Sequence, residues 1–351
     1  MMSLLSSPRG RVRLGLATLL ASLSIACLGE SIPRLIVAVP AHSVSKLPFV
    51  IAQDQGLYAK HGVNVELWLP APGAPDSAAV HAEWWIRVCR AIGIGTPREA
   101  EVEVDGAGPA IVRMAQERGA DSRISIAGTD CVVRAHVVAR KGLASLDDLK
   151  GHRIGVTSLR GTSGFHALLL AQRMGWDPRA DISIVPDADG VERLQDGSVD
   201  ATMAYEEDYA KAVRAGLPVL ADTQLWNESL AGNSVRVHRQ WLADPERRET
   251  ARRFLKAVAE AIAVMHREPE VALDVMAEWY GMTDRAFARD YLSRGAWISR
   301  EPYPCVEGIR RTMALYDSDE MRRHTAAEFY DDSLMREIAE SGFIEELYRE
   351  N

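Results

Sequence analysis

Cysteine is scarce in this chain, and its placement excludes several chemistries. The four cysteines among 351 residues, Cys27, Cys89, Cys131 and Cys305, are widely and unequally spaced, so no Cys-x-x-Cys pair is there to hold zinc. The nine histidines include no His-x-x-x-His or His-Glu-x-x-His pair, which removes the common helical metal sites. Also missing are a Gly-x-Ser-x-Gly elbow and a Gly-x-x-x-x-Gly-Lys phosphate loop, and Gly106 and Gly108 lack the third glycine of a dinucleotide fingerprint. Excess positive charge is absent too: 41 Lys and Arg face 49 Asp and Glu, a formal net charge of −8, so nothing favours a phosphate backbone and nucleic acid is not expected as a partner. No internal repeat or low-complexity tract interrupts the chain. With 47% hydrophobic and 26% charged residues, the length suits two ordinary globular domains.

The one long apolar run lies at the start. Arg9, Arg11 and Arg13 precede Leu14 to Ala26, a positive stretch followed by an apolar one that is too short for a confident membrane span and has the pattern of an export signal. Residues 1–26 are read as a signal peptide, cut after Ala26. Cys27 offers an alternative, because a cysteine at that place resembles a bacterial lipoprotein acceptor, although Ser24 stands where that motif usually has Leu. Export permits a disulfide, yet Cys89, Cys131 and Cys305 are odd in number, and buried thiols are the expectation.

Beyond the leader, hydrophobic periodicity alternates between strand and helix. Leu35 to Val39 reads as a buried strand closed by Pro40, and Pro48 suits the first turn of a helix in which Phe49, Val50, Leu57 and Tyr58 recur at helical spacing. Gly56 and Gly62 end that helix, and Val63, Val65 and Leu67 alternate as a second strand. A Pro/Ala loop over 70–78 leads to a helix over 79–92, where Trp84 and Trp85 are read as core. Strands follow at Ala100–Val104 and Ile124–Ala127, with a glycine turn at Asp105–Pro109 and a helix from Ala110 between them. The run Val132–Arg140 is expected to cross between domains. A strand ends at Val156, a hydroxyl-rich turn spans Thr157–Gly164, and a helix runs from Phe165 to Met174. Later strands are expected at Ile182–Val185, before Tyr205, at Val219–Ala221 as a return to the first domain, and at Asn233–Val237, followed by a run of helices.

Three segments carry a resemblance. Pro48 to Gly62 has the form Pro-aromatic-x-x-Ala-x-x-x-Gly-x-x-x-x-x-Gly; Asp148 to Val156 reads Asp-Leu-Lys-Gly-x-x-Ile-Gly-Val; Leu194 to Ala201 reads Leu-x-x-Gly-x-Val-Asp-Ala. In this order they resemble periplasmic substrate-binding proteins of ABC transporters of the sulfonate, nitrate and taurine type, relatives of thiamine-pyrimidine synthase-like domains. The resemblance implies an α/β, type II periplasmic-binding-protein-like fold of two lobes with a hinge and a C-terminal helical extension. It places lobe I at 34–129 plus 222–351 and lobe II at 130–221. It further implies a periplasmic monomer without a cofactor that captures a small-molecule solute, such as a sulfonate, nitrate, pyrimidine or aromatic acid, and passes it to an ABC permease in the inner membrane. The alternative is an enzyme on the same fold, a pyrimidine synthase or an aromatic-acid decarboxylase.

Ligand-binding residues are expected at the C-terminal ends of strands, where open α/β sheets bind. His42 and Ser43 follow the first strand. Gly106, Ala107 and Gly108 would offer backbone N–H groups, and Thr157, Ser158, Thr162 and Ser163 open a helix whose free N–H groups favour an anion, though hydroxyls there serve equally as caps. Tyr205 and Glu206 follow another strand, with Glu207 and Asp208, and Asn233 opens the strand after the return. No residue is assigned a catalytic role.

Overall fold

The computed structural model describes residues 32–39, 43–69, 100–117, 122–293 and 298–349. The readings of 1–26 as a leader, of Cys27, of His42, of the 70–78 loop, of the 79–92 helix with Trp84 and Trp85, and of Cys89 lie outside the described residues.

The chain begins as its periodicity predicts: β1 (Arg34–Ala38), α1 (Leu47–Asp54) with Pro48 in its first turn, α2 (Leu57–Lys60) and β2 (Asn64–Trp68). Next come β3 (Val102–Gly106), α3 (Ala107–Gln116) and β4 (Arg123–Gly128). The chain then crosses to β5 (His136–Ala139), β6 (Arg153–Val156), α4 (Thr162–Met174), β7 (Ser183–Pro186), α5 (Val191–Gln195), β8 (Ala201–Ala204), α6 (Glu206–Arg214) and β9 (Val219–Asp222). It returns as β10 (Asn233–His238) and closes with α7 (Arg239–Leu242), α8 (Pro245–Arg267), α9 (Pro269–Tyr280), α10 (Arg285–Ser293), α11 (Val306–Leu315), α12 (Ser333–Glu340) and α13 (Phe343–Leu347).

Two five-stranded sheets result, ordered β2-β1-β3-β10-β4 and β7-β6-β8-β5-β9. Each has parallel neighbours at one side and one strand, β10 or β5, that runs antiparallel to both of its partners. Those two strands are the ones that follow a crossing, so each sheet is completed by chain arriving from the other. The Val219–Ala221 stretch, expected to return to the first domain, instead forms β9 and pairs with β5. The return is made afterwards, through Thr223 to Gly232.

The crossings lie side by side. The Thr223 N–H donates to the Ala135 carbonyl (2.9 Å), Leu230 N–H to Cys131 O (2.9 Å) and Gly232 N–H to Asp130 O (3.1 Å). A Cβ at Gly232 would lie 1.8 Å from an Asp130 carboxylate oxygen, so this approach admits glycine alone. Cys131, in the first crossing, forms a disulfide with Cys305 at the start of α11. The expected free thiols are therefore corrected here: the fold brings two residues 174 positions apart to a Cα separation of 5.3 Å, within bonding reach.

The motif residues have packing reasons. Gly155 of β6 leaves room for the Ala188 carbonyl, which a Cβ would approach to 2.0 Å. Asp200, just before β8, accepts from Arg140 Nε (2.9 Å), Arg153 Nε (3.1 Å) and the Arg153 backbone N–H (3.0 Å), tying three neighbouring strands. Burial alone would raise its pKa, but the Arg153 and Arg140 hydrogen bonds outweigh it and hold the carboxyl well below the usual range. A carboxyl whose folded pKa lies below its unfolded value stabilises the protein above about pH 4 and loses that contribution as pH falls. Asp200→Asn is expected to lower stability by about 1–2 kcal/mol at pH 7, limited by the half-exposed arginines. Urea unfolding at pH 7 and pH 3 checks this, since the gap between variant and wild type must narrow at the lower pH.

The first sheet is buried under α1, α8 and α9. Phe254 of α8 stacks on Tyr58 (5.5 Å between centroids) and Phe49 (6.3 Å) in that core. α8 starts at Asp244, whose carboxylate accepts from the N–H groups of Glu246 and Arg247, each at 3.0 Å. The C-terminal helices pack on this lobe, and α11 also touches α4 of the other. Among the described residues no helix is long and apolar enough to cross a membrane.

Candidate functional site

The seam between the lobes is built by strand ends and the helix starts that follow them. Both α3 and α4 begin earlier than their composition suggests: Ala107 to Pro109 and Thr162 to Gly164 form first helical turns rather than loops. Each is preceded by a glycine, Gly106 and Gly161, with no side-chain cap, so the hydroxyl-and-glycine stretches look like turns in sequence. The two starts meet, since a Cβ on Gly106 would come within 2.9 Å of Thr162 Oγ1 and one on Gly108 within 2.9 Å of the Phe165 ring.

From there the contacts form a closed ring. Thr162 sits one helical turn before His166, which is buried in α4. His166 Nε2 faces the Val133 carbonyl at 3.0 Å and Nδ1 faces Tyr205 Oη at 2.8 Å and the Thr162 carbonyl at 3.1 Å. Burial lowers the His166 pKa, and the ring divides its two nitrogens between the Tyr205 hydroxyl and the carbonyls of Val133 and Thr162. Tyr205 precedes Glu206, whose carboxylate reaches the other lobe and takes the Ser43 hydroxyl at 2.7 Å. Ser45 O accepts from Asn233 Nδ2 at 2.8 Å, and Asn233 lies opposite Gly106 in the β3–β10 register.

Below the ring is a buried polar network. Asn233 Nδ2 also faces Thr129 Oγ1 (3.3 Å) and Asp130 Oδ1 (3.2 Å), its backbone N–H donates to Asp130 Oδ1 (2.7 Å), and its Oδ1 accepts from the Lys46 ammonium. Burial pushes the Asp130 carboxyl up and the Lys46 ammonium down. Arg236, 1% exposed, lies further along β10 and pairs with Glu103 at 2.7 Å. The Glu206 carboxyl is also raised, chiefly by burial, against the opposing pull of its donors and Lys46. Tyr205 is raised by burial, then by the charges of Asp189 and Glu206.

Several of the residues expected from sequence thus gather at one seam: Ser43, Gly106, Thr162, Tyr205, Glu206 and Asn233. Gly108 is in the same helix turn as Gly106, and the Ala107 N–H is already donated to the Gly232 carbonyl (2.5 Å). Thr157 and Ser163 bond each other, N–H to Oγ at 2.9 Å, and Thr157 Oγ1 turns to Asp189 (3.0 Å). Ser158 packs beside Gly161. His42 lies outside the described residues. Sequence reasoning missed His166, Lys46, Thr129 and Asp130. His166 had a signal, being four residues after Thr162 on one helix face; the others have meaning only through Asn233, a residue distant in sequence from all of them.

Comparison with solved structures settles what this architecture is. The aliphatic sulphonate binding protein SsuA of Escherichia coli is 17% identical, with 85% of this chain and 99% of that one covered at a TM-score of 0.60. The nitrate-binding protein NrtA of Synechocystis PCC 6803 is 14% identical, covering 88% and 89% at 0.64. The fold is that of the periplasmic binding proteins. The desulfurization enzyme DSZB superposes as well, at 14% identity, covering 88% and 99% with a TM-score of 0.57, so the periplasmic-binding-protein fold also carries an enzyme. Residues 125–272 match the family model described as NMT1/THI5 like. No curated protein matches the chain in sequence. In periplasmic-binding-protein terms, the Ser43–Glu206 and Gly106–Thr162 contacts lie where the two lobes face each other. Among the described residues no group of three or more His, Cys, Asp and Glu is placed to hold a metal ion.

Proposed function

We propose that this chain is an extracytoplasmic solute-binding protein, one that captures a small organic or inorganic solute between its lobes and hands it to an ABC permease. The observation that carries the reading is the seam itself. Polar groups from strand ends and helix starts of both sheets converge there, next to two hydrogen-bonded crossings that can act as a hinge. The lobes are 34–129 plus 222–351 and 130–221, and the solute meets Ser43, Gly106, Thr162, Tyr205, Glu206 and Asn233, with His42, Ala107, Gly108, Thr157, Ser158 and Ser163 around them. The fold shared with SsuA and NrtA supports sulfonates and nitrate as the first solutes to try. Export through residues 1–26, anchoring through Cys27 if it is lipidated, and action as a periplasmic monomer complete the reading.

The test is a thermal-shift and calorimetric screen of alkanesulfonates, taurine, nitrate, pyrimidines and aromatic acids. A true solute binds at one per chain and stabilises the folded state by about 2.7 kcal/mol at a hundred times its Kd. Product formation from any of these compounds, or a chain that none of them stabilises, would overturn the reading.

A further inference from the structure

Glu206, one of the residues placed at the solute seam, also makes a contact across the lobes that solute binding alone does not call for. Its side chain leaves the start of α6 on one lobe and enters the turn that opens α1 on the other. There Oε1 accepts from the Ser43 hydroxyl (2.7 Å) and the Ser45 N–H (3.1 Å), and Oε2 accepts from the Val44 N–H (3.1 Å). Ser43 Oγ and Ser45 Oγ are 2.8 Å apart, so the turn is a compact set of donors closed around one carboxylate. The arrangement is strained at the Glu206 end. Its φ is 31°, in the left-handed region that a non-glycine residue enters only when its surroundings hold it there. The side chain that this residue projects is held by donors on the opposite lobe. Burial adds in the same direction by raising the Glu206 pKa, which marks the carboxylate as costly to keep enclosed.

We propose that Glu206 is an internal latch: its carboxylate occupies the Ser43–Ser45 donors in the solute-free protein, holds the lobes together, and yields those donors to the oxyanion head group of an incoming solute. A carboxylate and a sulfonate present the same chemistry to the turn, two or more oxygens that accept hydrogen bonds from fixed N–H and O–H groups. A latch engaged ten times as often as it is released lowers apparent solute affinity about tenfold, because only the released form binds. The exchange half of the proposal rests on the solute-binding reading; the latch half does not.

The experiment uses the full mature chain as wild type and Glu206→Ala, with two readouts. Small-angle X-ray scattering without solute reads the lobes: the variant is expected to show a larger radius of gyration, and an unchanged radius overturns the latch. Calorimetry with ethanesulfonate and with nitrate reads the exchange: Glu206→Ala is expected to bind the recognised anion about tenfold more tightly. Weaker binding by the variant overturns the exchange and leaves Glu206 with its solute contact alone. An open variant with neither protein binding either anion keeps the latch and overturns the anionic-solute reading. Should Glu206→Ala fail to fold by circular dichroism, Ser43→Ala removes one donor from the other side, and the same shift in radius is required of it.

Discussion

Asn233→Ala is expected to cost about 3–5 kcal/mol of folding stability, the range for leaving a buried charge without its partner. The amide of Asn233 is the acceptor for the buried Lys46 ammonium and a donor to Ser45 O, Thr129 Oγ1 and Asp130 Oδ1. Lys46 is 3% exposed and Asp130 5%, so water does not reach either group readily once the amide is gone. The loss also reaches the seam, because Ser45 belongs to the turn that receives Glu206. Chemical unfolding followed by circular dichroism reads the change directly. A loss below about 1 kcal/mol would mean the network is less enclosed than its geometry implies.

Removing the Cys131–Cys305 disulfide is expected to have an effect of similar size, about 2–5 kcal/mol. The two residues are 174 positions apart, and a bridge over so long a loop removes much freedom from the unfolded chain. Its place gives it a second consequence, for it fastens the first crossing to α11, which packs against both α3 and α4. The double variant Cys131→Ser with Cys305→Ser should melt several degrees below wild type, and wild type treated with a thiol reductant should match it. Equal melting temperatures with and without reductant would show that the bridge contributes nothing.

The sequence is legible where one element carries its own signal. The opening β-α-β unit is readable because helical and alternating periods follow each other between glycines, and two of the three family-like segments coincide with places where packing demands a particular residue, at Gly155 and Asp200. Helix starts were displaced by several residues at Ala107 and Thr162, since glycine caps without a side-chain bond look the same as a turn. β9 joins the second sheet against its expected return to the first, because four residues do not encode which sheet they join. The disulfide and the Lys46–Asn233–Asp130 network were invisible for the same reason, as each depends on partners far away in the chain.

The exchange of strands between the two sheets also sets an order of assembly. Residues 136–222 contain every strand of the second sheet, so that lobe can form from contiguous chain. The first sheet has a gap between β3 and β4 that only β10 fills, more than a hundred residues downstream of both. Contacts over such separations form slowly. A folding chain is therefore expected to complete the inserted lobe first, while the open edges of β3 and β4 wait for β10, a stage at which pairing with another chain is the hazard.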